Sequence, residues 1–123
     1  MNEQRDRTLG RILNLRRLEG KTLRGNMILA AARHEAAQVA EQDATSRFEG
    51  LQVVGPCPTP ALLFTQLDEF ATARAQLAAA TADALARAQL SQEAALTNAA
   101  SCEALETFLR ERQAERRRAA KWR

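Results

Sequence analysis

The chain has no tyrosine, one tryptophan, one histidine and two cysteines, and its three prolines fall within five residues, Pro56, Pro58 and Pro60. Each scarcity excludes something. With four phenylalanines and Trp122 as the whole aromatic complement of 123 residues, a thick globular core is not available, so at most one slender domain is expected. One histidine, His34, with no cysteine beside it, cannot build a zinc site or a catalytic relay and reads as a packing residue. Cys57 and Cys102 lie 45 positions apart, a spacing that fits no metal or redox motif, and are expected as reduced thiols. No apolar run reaches the roughly 18 residues that a membrane span needs. The N-terminus is charged and lacks the apolar centre of a signal peptide. A soluble, cytoplasmic chain is the expectation, with no membrane insertion.

Alanine dominates the 46% apolar content. It buries little surface but is the best helix former. Proline does the reverse: it lacks an N–H and clashes with the preceding turn. Prolines confined to one short stretch therefore predict one break between two long helices.

Steps of four and three mark an apolar seam on both sides of that break. The first runs Leu9, Leu13, Arg16, Gly20, Leu23, Met27, Ala30, His34, Ala37, Glu41, Ala44, Phe48 and Leu51. The second runs Leu63, Leu67, Phe70, Arg74, Leu77, Thr81, Ala84, Ala88, Ser91, Ala95, Asn98, Cys102, Leu105 and Leu109, then turns polar at Arg112 and Arg116. The fold class expected is all-α: two long helices in an antiparallel coiled-coil hairpin, the second overhanging at the C-terminus. Helix 1 is placed at about 2–49, the Pro/Gly connector at 50–59 and helix 2 at about 60–121, as a single hairpin over 1–123. Asn2 is the candidate cap of helix 1 and Gly50 its stop. Val53 and Val54 suit a short extended piece, and Thr59 before Pro60 is a start signal for helix 2.

Gly10, Gly20 and Gly25 should weaken the first half of helix 1 by roughly 1 kcal/mol each against alanine. Small residues in the second seam would let the helices approach closely. Arg74, Ser91 and Asn98 weaken it but could set its register. Folding at the connector pairs Phe48 with Leu63, Met27 with Ala84 and Leu9 with Cys102. On that pairing helix 2 overhangs by about 20 Å and the hairpin is a rod about 90 Å long, at 1.5 Å per residue.

Charge is segregated. Residues 1–24 carry +4, residues 110–123 carry +5 and the stretch between carries −6, which returns the net +3. A hairpin brings both basic segments to one end, a field that would steer docking onto an acidic partner or a phosphate backbone. Arg5, Arg7 and Arg11 supply it from helix 1, and Arg112, Arg116, Arg117 and Arg118 from helix 2. Leu105, Phe108 and Leu109 form an apolar stripe beside the arginines, read either as docking surface or as a cap on the core. At the other end Phe48, Leu62, Leu63, Phe64, Leu67 and Phe70 cluster. Phe48 and Leu63 read as a plug sealing the tip. Phe64 and Phe70 cannot both face one thin seam with Leu63 and Leu67, so part of this surface is expected to be exposed.

Nothing in the sequence suggests catalysis. Asp68, Glu69, Glu103 and Glu106 sit on helices with no cleft to perturb them. Ser91 and Ser101 lack a base, and Gly50 and Gly55 form no phosphate loop. No enzyme, cofactor or small-molecule substrate is expected. The basic close, LRERQAERRRAAKWR at 109–123, lacks the asparagine of a zipper-type basic region and has only Trp122 for base stacking.

Two segments together resemble the FliJ/YscO family, the central stalk of type III export machines: LLFTQLDEFATARAQL at 62–77, similar to the family's second-helix opening, and the Arg/Glu/Gln-rich close at 109–123. The chain is shorter than the family and has no tyrosine near the tip. The resemblance implies a non-enzymatic coupling protein whose basic end enters the pore of a hexameric export ATPase, through Arg112, Arg116, Arg117 and Arg118. It implies that the tip, through Phe64, Leu67 and Phe70, reaches the cytoplasmic domain of the export gate at the inner membrane. Secretion chaperones are further candidate partners. The alternatives are a nucleic-acid-binding helical protein and a homodimeric coiled-coil adaptor whose chain does not fold back.

Overall fold

A computed structural model describes residues 2–53 and 60–122. Side chains are described for 3–49 and 60–122. Two helices, α1 (Asn2–Val53) and α2 (Pro60–Lys121), make up almost all of it, with no strand among the described residues. Proline takes the first position of α2, where its missing N–H costs nothing. Glu3 in the first turn of α1 and Arg118 and Lys121 in the last turn of α2 carry the charge signs that the helix dipole favours. Threonine hydroxyls donate to the carbonyl four residues back, as from Thr8 to Gln4 and from Thr72 to Asp68, both at 2.9 Å.

Three boundary expectations change. Asn2 is already helical, α1 passes through Gly50, and Val53 is helical rather than extended. A lone glycine costs a helix only about 1 kcal/mol, too little by itself to end one. Val54, Gly55, Cys57 and Thr59 lie outside the described residues.

The chain forms two compact units, residues 1–27 with 90–123, and residues 28–89. In the second, α1 and α2 segments run antiparallel. Phe48 meets Phe70 edge-on, with ring centroids 5.4 Å apart at 64°. The Arg74 guanidinium lies over the Phe48 ring, 5.6 Å from its centroid. The Thr81 hydroxyl sits 2.9 Å from the Leu77 carbonyl of its own helix and 3.3 Å from the Ala37 carbonyl across the seam. Such reach from a side chain as short as threonine's requires closely spaced backbones, which the alanines permit.

In the first unit the same antiparallel packing closes around Leu13, Gly20 and Asn98, which are buried. No described side chain is wholly buried. The seam of α1 follows the expected positions: Leu9, Leu23, Met27, Ala30, His34, Ala37, Glu41, Ala44 and Phe48 are half-buried, and Arg16 is exposed. In α2 the seam is half-buried or buried from Phe70 to Arg112, except Arg74, which lies over Phe48.

The register differs from expectation by one heptad. Phe48 with Phe70, Ala37 with Thr81, Gly20 with Asn98 and Asp6 with Arg112 all carry numbers adding to 118. The pairing of Phe48 with Leu63, Met27 with Ala84 and Leu9 with Cys102 adds to 111. Apolar periodicity does not separate the two, because a seven-residue slide maps one seam onto itself. Specific groups do. Asn98, 8% exposed, donates from Nδ2 to the Arg16 carbonyl at 3.1 Å and accepts from Cys102 Sγ at 3.8 Å. Its Oδ1 lies 2.6 Å from where a Cβ on residue 20 would sit, so the site requires the glycine found there. In this register Asn2 faces residue 116. The overhang shrinks to Arg117–Lys121, about 7 Å at 1.5 Å per residue.

Candidate docking surface at the terminal end

The terminal end is built inside the first unit. Asp6 falls three residues before Leu9, so the seam repeat turns it inward. There it meets the two seam positions at which α2 becomes basic. Arg116 Nη2 reaches Asp6 Oδ2 at 2.5 Å, and Arg112 Nε lies 3.7 Å from Oδ1. The Asp6 side chain is only 13% exposed. The longer of these contacts is an ion pair beyond hydrogen-bond range, and Oδ1 has no hydrogen-bond partner among the described residues. One half-screened carboxylate thus holds two arginines.

One heptad inward, Arg17 grips Glu106 Oε1 through Nε at 3.2 Å and Nη2 at 2.6 Å, and Arg110 Nη2 lies 3.6 Å from Oε2. The hydrogen bond from Arg17 lowers the Glu106 pKa below the usual glutamate value; partial burial opposes the shift, and the positive charges of Arg17 and Arg110 add to it. A shallow groove of about 410 Å³ beside this pair is lined by Arg17, Lys21 and Arg24 from α1 and by Asn98, Cys102 and Glu103 from α2. Cys102 is a free thiol. A second depression, about 380 Å³, lies between Gly10 and Leu109 and includes Asp6 and Arg116.

These contacts sort the residues proposed from sequence. Arg112 and Arg116 are engaged by Asp6, and each is less than half exposed. Arg5, Arg7, Arg11, Arg117 and Arg118 are exposed. Leu105 and Leu109 are half-buried, and the register sets them opposite Leu13 and Leu9. They belong to the packed seam. Phe108 is 41% exposed. In the sequence Asp6 stands out only as a charge and Glu106 only as a helix carboxylate with no cleft to perturb it. The signal for Asp6 was there: the α1 seam, extended one step back from Leu9, lands on it.

At the tip, Phe48 and Phe70 close on each other, which replaces the expected plug of Phe48 and Leu63. Leu63 and Leu67 are just over a third exposed and Phe64 is 72% exposed. No group of three or more metal-binding side chains occurs among the described residues, and no described helix is long and apolar enough to cross a membrane.

No protein family, curated protein or solved structure matches this chain.

Proposed function

We propose that this chain is a non-enzymatic coupling protein that docks through its basic terminal end, in the manner of the stalk of a bacterial type III export apparatus that links an export ATPase ring to an export gate. One observation carries the reading. Two basic segments from opposite ends of the sequence are drawn into one unit, and Asp6, Arg112 and Arg116 tie them together. The arginines Arg5, Arg7, Arg11, Arg117 and Arg118 are exposed on that one unit, as is Phe108. A dense positive field beside an apolar side chain suits an acidic, partly apolar protein surface. The likeness of segments 62–77 and 109–123 to the FliJ/YscO family supplies the particular partner. The exposed apolar tip, with Phe64 most accessible, is where a gate contact would fall.

The test is binding of the intact chain to a purified hexameric export ATPase at moderate salt, beside an Arg117→Glu/Arg118→Glu variant. Those arginines are outside the Asp6 contacts, so the variant should keep its helicity and lose the ATPase. Failure of the wild-type chain to bind would remove the stalk reading. If the chain instead bound duplex DNA, with affinity falling steeply as salt rises, the same basic end would be a phosphate-binding surface.

A further inference from the structure

Helix α1 carries a second apolar stripe, turned away from α2. It steps by three and four through Leu15, Leu18, Thr22, Gly25, Leu29 and on to Val39. Leu15, Leu18, Leu29 and Val39 are 50–60% exposed, and Ile28 at its flank is 68% exposed. Scattered single exposures of this kind are ordinary, but here they align on one heptad repeat. Gly25 lies in the stripe with nothing within 4 Å of where a Cβ would sit, so no contact inside the chain calls for a glycine there.

We propose that this face of α1 pairs with the same face of α1 in a second copy of the chain, antiparallel, about a two-fold axis near Met27. The argument is charge complementarity. Antiparallel self-pairing centred on residue 27 sets Leu15 against Val39, Leu18 against Ala36, and Gly25 against Leu29, large against smaller in each layer. The repeat leaves the apolar stretch at Arg11 on one end and Asp43 on the other, and the same axis sets these against each other. The flanks agree: Glu19 falls opposite Arg33, Lys21 opposite Glu35, and Ile28 opposite its own copy. All six charged groups are exposed in the single chain. Parallel pairing would stack Arg11 on Arg11 and Asp43 on Asp43. One mismatch, Arg5 against Arg47, falls outside the apolar layers. An isologous interface of this sort satisfies each pair twice. The apolar layers extend over about 36 Å of helix at 1.5 Å per residue. The pairing engages Arg11 but leaves Arg117 and Arg118 of each chain exposed, and it holds whether or not those two dock on an export ATPase.

Sedimentation equilibrium of the intact 13.6 kDa chain tests this. The wild type should show a reversible species of twice that mass. Leu18→Glu with Leu29→Glu should give the single-chain mass with unchanged circular dichroism. Glu19→Arg should weaken the dimer about tenfold, because an attraction becomes a repulsion at two symmetry-related places. Adding Arg33→Glu should restore it. These charge positions are exposed, so they decide the matter even if the leucine variant loses helicity. A single-chain mass at every concentration up to the solubility limit would overturn the proposal. So would a dimer indifferent to the charge reversal and its rescue.

Discussion

Gly20 and Asn98 form the contact that selects the register, and substituting the glycine tests this directly. In an ordinary helix interior Gly→Ala stabilises by about 1 kcal/mol. At position 20 the added Cβ would lie 2.6 Å from Asn98 Oδ1, well inside contact distance. Asn98 is 8% exposed and hydrogen-bonded to the Arg16 carbonyl, so it cannot swing aside without giving up that bond. A buried amide left unsatisfied costs about 1–3 kcal/mol. The two effects oppose, and the second is larger. Gly20→Ala should therefore destabilise the chain by about 1 kcal/mol, a net of those two ranges. Gly10 is the control, since nothing lies within 4 Å of its Cβ position. Gly10→Ala should stabilise by about 0.4–1 kcal/mol. Combining Gly20→Ala with Asn98→Ala removes the collision, so the pair should show a coupling of at least about 1 kcal/mol. Urea unfolding followed by far-ultraviolet circular dichroism, at one fixed protein concentration, measures all four. If Gly20→Ala stabilises as much as Gly10→Ala, Asn98 does not hold the register.

Three further outcomes are expected. Glu106 is held below its ordinary pKa by Arg17, so its ion pair contributes stability above the unfolded-state glutamate pKa, roughly 4. That contribution is lost as pH falls through the lower folded value; Glu106→Gln should flatten the acid limb of a plot of unfolding midpoint against pH, and an unchanged limb would remove the pair from the account. Leu13, at 5% exposure the most buried apolar side chain described, should cost about 2–3 kcal/mol on truncation to alanine. Leu90→Ala, at a site 66% exposed, should shift the same urea midpoint by less than about 0.5 kcal/mol. Arg74→Ala removes a cation from the Phe48 ring and should cost about 0.5–1 kcal/mol, a loss that Arg74→Ala should not show in a Phe48→Leu background.

Reading this chain from its residues succeeded where the physics is local or periodic. Prolines gathered into one stretch announce one break, and alanine-rich sequence on either side leaves helix as the available state. Side chains recurring by threes and fours must share a helix face, so most of the α1 seam and the α2 seam from Phe70 onward could be named in advance. Charge content at the two termini was equally plain. What sequence alone determined, then, was two helices, their facing stripes and the basic nature of the terminal segments.

Tertiary structure decided the register, and everything that depends on it. A heptad seam slid by seven residues still presents apolar side chains to apolar side chains, so burial alone leaves the alignments nearly degenerate. The choice falls to groups whose contacts do not repeat: a glycine opposite a buried asparagine, an aspartate opposite two arginines, a phenylalanine between another ring and a guanidinium. That choice set Leu105 and Leu109 opposite Leu13 and Leu9 and engaged Arg112 and Arg116 with Asp6. It left Arg117, Arg118 and Phe108 exposed. Such directional contacts act over a few ångströms between residues up to 110 positions apart in the chain, and no local pattern encodes them.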